Sequence, residues 1–246
     1  MTLKEYIDVI VDFLRDYKEK HPFLKGYVVG ISGGVDSSLV ATLVKKAVGK
    51  ENMMGILMPI DSNIADLNDG IELCKAMDIP YKVIDATEAY KVFRKEIETA
   101  SGELDISTAG NLKARMRMSM LYAYAQKHSY VVTGTDNADE EYTGYFTKYG
   151  DGGVDILPIV HLLKGEVVEA CKMLGVPNKL AERVPTAGLF EGQTDEKEMG
   201  VTYKDLDNYL LGKPVDDAVN AKIERLHAVS EHKRNPIPTP KEFIRD

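Results

Sequence analysis

Tyr27-Val28-Val29-Gly30-Ile31-Ser32-Gly33-Gly34-Val35-Asp36-Ser37-Ser38 is an apolar run that passes through a glycine- and serine-rich turn into a helical pattern stopped by Gly49. It reads as a buried strand, a loop and a helix, with the loop at the carboxyl end of the strand, where parallel sheets hold their ligands. Upstream, Leu3, Tyr6, Ile7, Ile10, Val11 and Leu14 recur at helical spacing until His21-Pro22 ends the pattern. Downstream the two patterns alternate: strands at 53–58, 81–84 and 130–134, helices at 65–77, 87–99 and 111–127. Strands separated by helices predict right-handed crossovers and an α/β fold, a doubly wound, mostly parallel sheet with helices on both faces. From Leu163 onward only helices and loops are expected. With no internal repeat and no low-complexity tract, residues 1–246 read as a single domain.

The 31 Lys and Arg against 39 Asp and Glu give a formal charge of −8, which excludes the broad basic surface that general nucleic-acid binding needs. No apolar run reaches the length of a membrane span, and the N-terminus mixes acids with apolar residues instead of showing a basic start and a cleavage site. A cytoplasmic protein without membrane or nucleic-acid partners is expected. Cys74 and Cys171 lack a CxxC or a nearby His and read as buried reduced thiols. An anionic ligand would require the cations to be concentrated locally.

The opening loop has the chemistry for one. Gly33 and Gly34 allow backbone conformations closed to other residues, Ser32, Ser37 and Ser38 offer hydroxyls, and the following helix presents free N–H groups. No Gly-Lys-Ser/Thr ends the loop and it is not GxGxxG, so kinase-type and hydride-transfer chemistry lose support. Asp36 would repel a phosphate unless a divalent cation bridged the two; the bland alternative makes it the helix N-cap.

SGGVDSS resembles the pyrophosphate-binding loop of the N-type ATP pyrophosphatases, which split ATP between its α and β phosphates and adenylate a substrate. Further segments narrow the resemblance: Gly110-Asn111-Leu112-Lys113-Ala114-Arg115-Met116-Arg117-Met118, Gly134-Thr135-Asp136-Asn137-Ala138-Asp139-Glu140, Phe146-Thr147-Lys148-Tyr149-Gly150-Asp151-Gly152-Gly153-Val154-Asp155 and Glu231-His232-Lys233-Arg234. In that order they resemble ammonia-dependent NAD synthetases. The resemblance implies ATP contacts at Gly30, Ile31, Ser32, Gly33, Gly34, Val35, Asp36, Ser37, Thr135, Lys164 and Thr186. It implies deamido-NAD contacts at Arg115, Lys148, Asp155, His232 and Lys233, Mg²⁺ held by Asp36 and Glu140, and Asp36 and Lys164 as the catalytic pair. The family often has His where this chain has Asn137, which leaves the role of that residue open. It also implies a homodimer and the substrates ATP, deamido-NAD and ammonia. Only 29 residues precede Gly30, which predicts no glutaminase domain and free ammonia, or a separate partner, as the nitrogen source.

Taken without the resemblance, several of these residues read more plainly. Asp136, Asp139, Glu140 and Glu141 are solvated acids, Lys113 is a solvated helix end, and Met116, Met118 and Met120 are core or dimer packing. The polar segment from Thr186 to Gly200 is either disordered or a lid. Two rival functions share the first loop: an ATP pyrophosphatase making GMP or a modified tRNA base, and a non-catalytic adenine-nucleotide sensor. The first does not predict the later segments together, and the second would bind ATP without releasing pyrophosphate.

Overall fold

Side-chain caps mark where most helices begin. Thr2, Asn63, Asp105, Asn137, Thr202 and Asp216 each turn an oxygen onto the first N–H groups of the helix that follows. The computed structural model describes residues 1–183 and 194–245. In chain order its elements are α1 (Leu3–Lys20), β1 (Gly26–Gly30), α2 (Val35–Val48), β2 (Met53–Leu57), α3 (Ile64–Ala76), β3 (Tyr81–Val83), α4 (Thr87–Ser101), α5 (Ile106–His128), β4 (Tyr130–Thr133) and α6 (Ala138–Thr143). There follow α7 (Lys164–Met173), α8 (Asn178–Ala181), α9 (Asp195–Met199), α10 (Tyr203–Leu210) and α11 (Asp217–Arg234).

The sheet has the order β3-β2-β1-β4 and every pairing is parallel. The chain winds outward from β1 to β3 and then returns to the far side of β1 to add β4, so the winding direction reverses between β1 and β4. Alternate residues of the strands feed two cores. Tyr27, Val29, Met53, Leu57 and Val131 pack with α1, α2 and α7 on one face, and Val28, Ile56 and Val132 pack with α5 on the other. The largely buried β1, β2 and β4 have no polar alternation, which is why each reads as a continuous apolar run, whereas β3 lies at the sheet edge and carries Lys82. A smaller core of Met199, Val201, Tyr203, Leu206 and Ile223 ties α10 and α11 beyond the sheet.

The expected α/β architecture is present, with two main departures from the expected elements. The fifth helix starts at Ile106 rather than 111, because Asp105 accepts the Thr108 N–H at 2.8 Å and a buried Gly110 is carried inside the helix. Part of the polar segment expected to be disordered or a lid is helical, since Asp195–Met199 forms α9 with Met199 buried. Thr186 lies outside the described residues.

Candidate active site

The carboxyl ends of β1 and β4 meet where the winding reverses, the position at which open α/β sheets bind ligands. After β1, Gly33 takes a positive φ of 83°. A Cβ there would lie 2.6 Å from the Asp66 carbonyl oxygen, so glycine alone fits. The turn is knitted by its own hydroxyls: Ser37 and Ser38 Oγ both donate to the Gly34 carbonyl, and the Gly34 N–H donates to Ser32 Oγ. Gly34 rather than Asp36 is the N-cap, so the bland reading of Asp36 fails and its carboxylate is left for other work. Arg183 clamps the loop from outside, donating to the Gly33 carbonyl at 3.0 Å while pairing with Asp66.

Three charged side chains from three elements converge here. Lys164, the first residue of α7, is 4% exposed and its Nζ lies 2.6 Å from Asp36 Oδ2 and 3.1 Å from Glu140 Oε1. Burial works to lower the Lys164 pKa, and the facing charges of Asp36 and Glu140 outweigh it, so the group is held firmly as the ammonium. Glu140 is pushed up to about 7, first by burial and then by the Asp36 charge, with Lys164 opposing both. Tyr203 closes the far side, its hydroxyl donating to Asp195 Oδ2 at 2.9 Å and to Glu140 Oε1 at 3.2 Å, with Lys164 Nζ 4.6 Å from its ring centre. Asp36 and Glu140 are hard oxygen donors and suit a Mg²⁺ ion. Among the described residues no group of three or more His, Cys, Asp or Glu side chains could hold a metal, which fits an ion that keeps waters and takes substrate phosphates instead of a full protein cage.

Asp136, Asp139 and Glu140 are not solvated, which corrects the plain sequence reading for these three. Asp136 is 5% exposed and Asp139 fully buried. Burial followed by its acidic neighbours holds the Asp136 carboxyl far above the carboxylate range, and burial followed by Asp207 pushes Asp139 up to about 8. Asp139 Oδ2 accepts the Lys164 N–H at 2.8 Å and Asp207 Oδ2 accepts the Gly165 N–H at 3.1 Å, so two carboxyls from α6 and α10 cap the N-terminus of α7. The second oxygen of each, Asp139 Oδ1 and Asp207 Oδ1, is buried with no hydrogen-bond partner among the described residues.

Asp36, Asp136, Glu140 and Lys164 line a cavity of about 400 Å³, within the roughly 300–1,000 Å³ of small-molecule sites. Of the expected ATP residues, Gly30, Ile31, Ser32, Gly34, Val35, Asp36, Ser37, Thr135 and Lys164 line it. Lys233 lines it too: its Nζ donates to the Gly144 and Phe146 carbonyls at 2.7 Å each, and burial lowers its pKa. The other residues expected on deamido-NAD stand apart from that cavity. Arg115 is exposed and donates to the Lys148 carbonyl at 3.3 Å, while Lys148 Nζ reaches the His232 carbonyl at 2.5 Å beside a shallow outer groove. Asp155 accepts from the Tyr122 hydroxyl and the Val132 N–H.

Sequence reasoning passed over Arg117, which does line the cavity. Its Nε donates to the Met58 carbonyl at 3.0 Å and its Nη2 to Ser62 at 3.2 Å, and it has no ion-pair partner among the described residues. Met118 lines the cavity rather than the core, and Lys113 lies 5.3 Å from the Tyr90 ring centre with its pKa lowered by burial.

The NAD synthase family model matches residues 6–237 of this chain. The chain belongs to the NAD synthase family. The NH(3)-dependent NAD(+) synthetase of Mesoplasma florum is 46% identical over all of both chains. That of Alkaliphilus oremlandii is 47% identical, with 98% of each chain covered. Among solved structures, NMN synthetase from Francisella tularensis superposes with a TM-score of 0.91 at 40% identity over 98% of this chain and all of the other. NH3-dependent NAD synthetase from Campylobacter jejuni gives 0.80 at 30% identity, again over 98% of this chain and all of that one. This member of the NAD synthase family has no helix, among its described residues, long and apolar enough to cross a membrane. Both of its cysteines are buried, as expected.

Proposed function

We propose that this chain joins ammonia to the nicotinate carboxylate of deamido-NAD, consuming ATP and yielding NAD, AMP and pyrophosphate. The observation that carries the reading is the meeting of the Gly30–Ser38 loop with Thr135, Glu140 and Lys164 at adjacent strand ends. The carboxylate attacks the α phosphorus of ATP, the bond from that phosphorus to the α,β-bridging oxygen breaks, and pyrophosphate departs. Ammonia then adds to the acyl carbon, the acyl–oxygen bond breaks to release AMP, and the surplus proton passes to solvent.

No covalent enzyme intermediate is needed, so the protein contributes position and charge. The loop N–H groups and the start of α2 receive phosphate oxygens. Lys164 keeps its proton at the site and offsets charge on the departing pyrophosphate. Asp36 and Glu140 would hold Mg²⁺, which when bound neutralises phosphate charge. Arg115, Lys148, Asp155, His232 and Lys233 serve deamido-NAD, and Thr186 serves ATP. The working unit is a cytoplasmic homodimer, and the half-exposed Phe93 with the exposed Val92 and Ile106 on α4 and α5 supports the pairing of two chains.

The test mixes protein, ATP, Mg²⁺, deamido-NAD and ammonium and follows NAD and AMP. ADP as product, or turnover without the dinucleotide, would overturn the proposal. The closer superposition on NMN synthetase favours a second substrate, nicotinate mononucleotide, which presents the same carboxylate without the AMP half. Running both acids in parallel decides by the larger kcat/KM.

A further inference from the structure

Asn137 is fully buried and sits between the two carboxylates assigned to the cation. Its Oδ1 accepts the backbone N–H of Asp139 at 3.0 Å and of Glu140 at 3.1 Å. Backbone N–H groups can only donate, so the atom they meet must be the amide oxygen, and the NH₂ is left facing Asp36. That NH₂ donates to Asp36 Oδ1 at 2.8 Å, on the carboxylate oxygen that Lys164 does not use. The Asn137 N–H in turn donates to Glu140 Oε2 at 3.2 Å, leaving Glu140 Oε1 to Lys164 and Tyr203. One residue therefore fixes one oxygen of each carboxylate.

We propose that Asn137 is a positioning residue that sets the separation and orientation of Asp36 and Glu140 for a divalent cation carried by ATP. The physical reason is rotational. A carboxylate on a short side chain turns about its last bond unless both oxygens are engaged, and here Lys164 engages one oxygen of each while Asn137 engages the other. Asp36 stands on the first turn of α2 and Glu140 on the first turn of α6, so nothing within either helix links them. Asn137 joins the two, with its side-chain amide on the Asp36 carboxylate and its backbone N–H on the Glu140 carboxylate. Outer partners of metal-bound carboxylates commonly govern about 10–100-fold of metal affinity or activity.

Capping α6 is the competing, merely structural role, and Asn137→Ser separates the two. Serine caps a helix about as well as asparagine, and its hydroxyl is too short to reach Asp36. The probe is α,β-methylene-ATP, which cannot be cleaved at the bond the reaction breaks, titrated calorimetrically in Mg²⁺ and again in EDTA. The inference rests on the assignment of Asp36 and Glu140 to the cation, and the wild-type titrations test that first: equal affinity in Mg²⁺ and in EDTA would overturn the assignment itself. With Mg²⁺-dependent binding in hand, Asn137→Ser is expected to bind about tenfold more weakly in Mg²⁺ and to match the wild type in EDTA. An unchanged affinity in Mg²⁺, or an equal loss in EDTA, would overturn the positioning role. Asn137→Ala, which lacks both cap and donor, should lose the same Mg²⁺-dependent binding and melt earlier than the serine variant.

Discussion

Replacing Lys164 with methionine keeps the length of the side chain and removes the single cation between Asp36 and Glu140. The cost depends on pH, because Glu140 titrates near 7 against an ordinary 4.5. A carboxyl whose folded pKa is raised gives stability below its unfolded pKa that is lost as pH rises to the folded value, since the folded state binds the proton more tightly. At pH 6 Glu140 is mostly protonated in the wild type, so the variant forfeits chiefly the bond to Asp36 at 2.6 Å, worth about 1.5–3 kcal/mol for a charged hydrogen bond. Lys164 lowers the Glu140 pKa, so its removal lifts that value above 7. Each further pH unit at which the wild type has ionised and the variant has not adds about 1.4 kcal/mol to the difference. At pH 8 the loss therefore approaches 3–5 kcal/mol, the usual penalty for stranding a buried charge. Urea unfolding of both proteins at pH 6 and pH 8, in EDTA and without nucleotide, measures the difference. Turnover should fall by about 10²–10³, as when one donor to a developing anion is removed. A stability loss that does not grow between the two pH values, or a kcat within about threefold of wild type, would refute the reasoning.

Asp36→Ala and Glu140→Ala should each abolish NAD formation while the far-ultraviolet circular dichroism stays that of the wild type; turnover near normal in either removes it from the cation. Gly33→Ala places a methyl 2.6 Å from the Asp66 carbonyl oxygen at a φ of 83°, so it should cost about 1–3 kcal/mol of stability and raise the KM for ATP more than that for the dinucleotide. Cys74 and Cys171 are fully shielded, and burial pushes their thiols up to about 11 and 12, so an aromatic disulfide reagent at pH 8 should label neither until urea unfolds the chain. Rapid labelling of the native protein would contradict that burial.

The strand–loop–helix punctuation was legible because it is local: apolar runs bounded by glycines at Gly30 and Gly49 leave little freedom to the backbone. The start of α5 was hidden because Ile106, Ser107, Thr108 and Gly110 show no apolar period, and only the Asp105 cap announces it. Asp139 could not be read as buried from its neighbours, since the groups that enclose it arrive from α7 and α10 much later in the chain. Asn137 shows the division within one residue. Its capping role is written in the Glu140 three places on, whereas its bond to Asp36 exists only because β4 pairs with β1. Arg115 and Arg117 show a limit of spacing, because two positions along a helix turn side chains to nearly opposite sides and only packing selects the inward one.

The paired carboxyls at the head of α7 make folding a reaction that consumes protons. Asp139 and Asp207 face each other with oxygens that meet no donor group among the described residues, and a proton held between them removes their mutual repulsion. With Asp139 titrating near 8, the native chain at pH 7 retains a proton that the unfolded chain has released, and burial pushes Asp136 in the same direction. Refolding in unbuffered solution should turn the medium alkaline, and the native molecule should migrate in an electric field as a less negative particle than its formal −8.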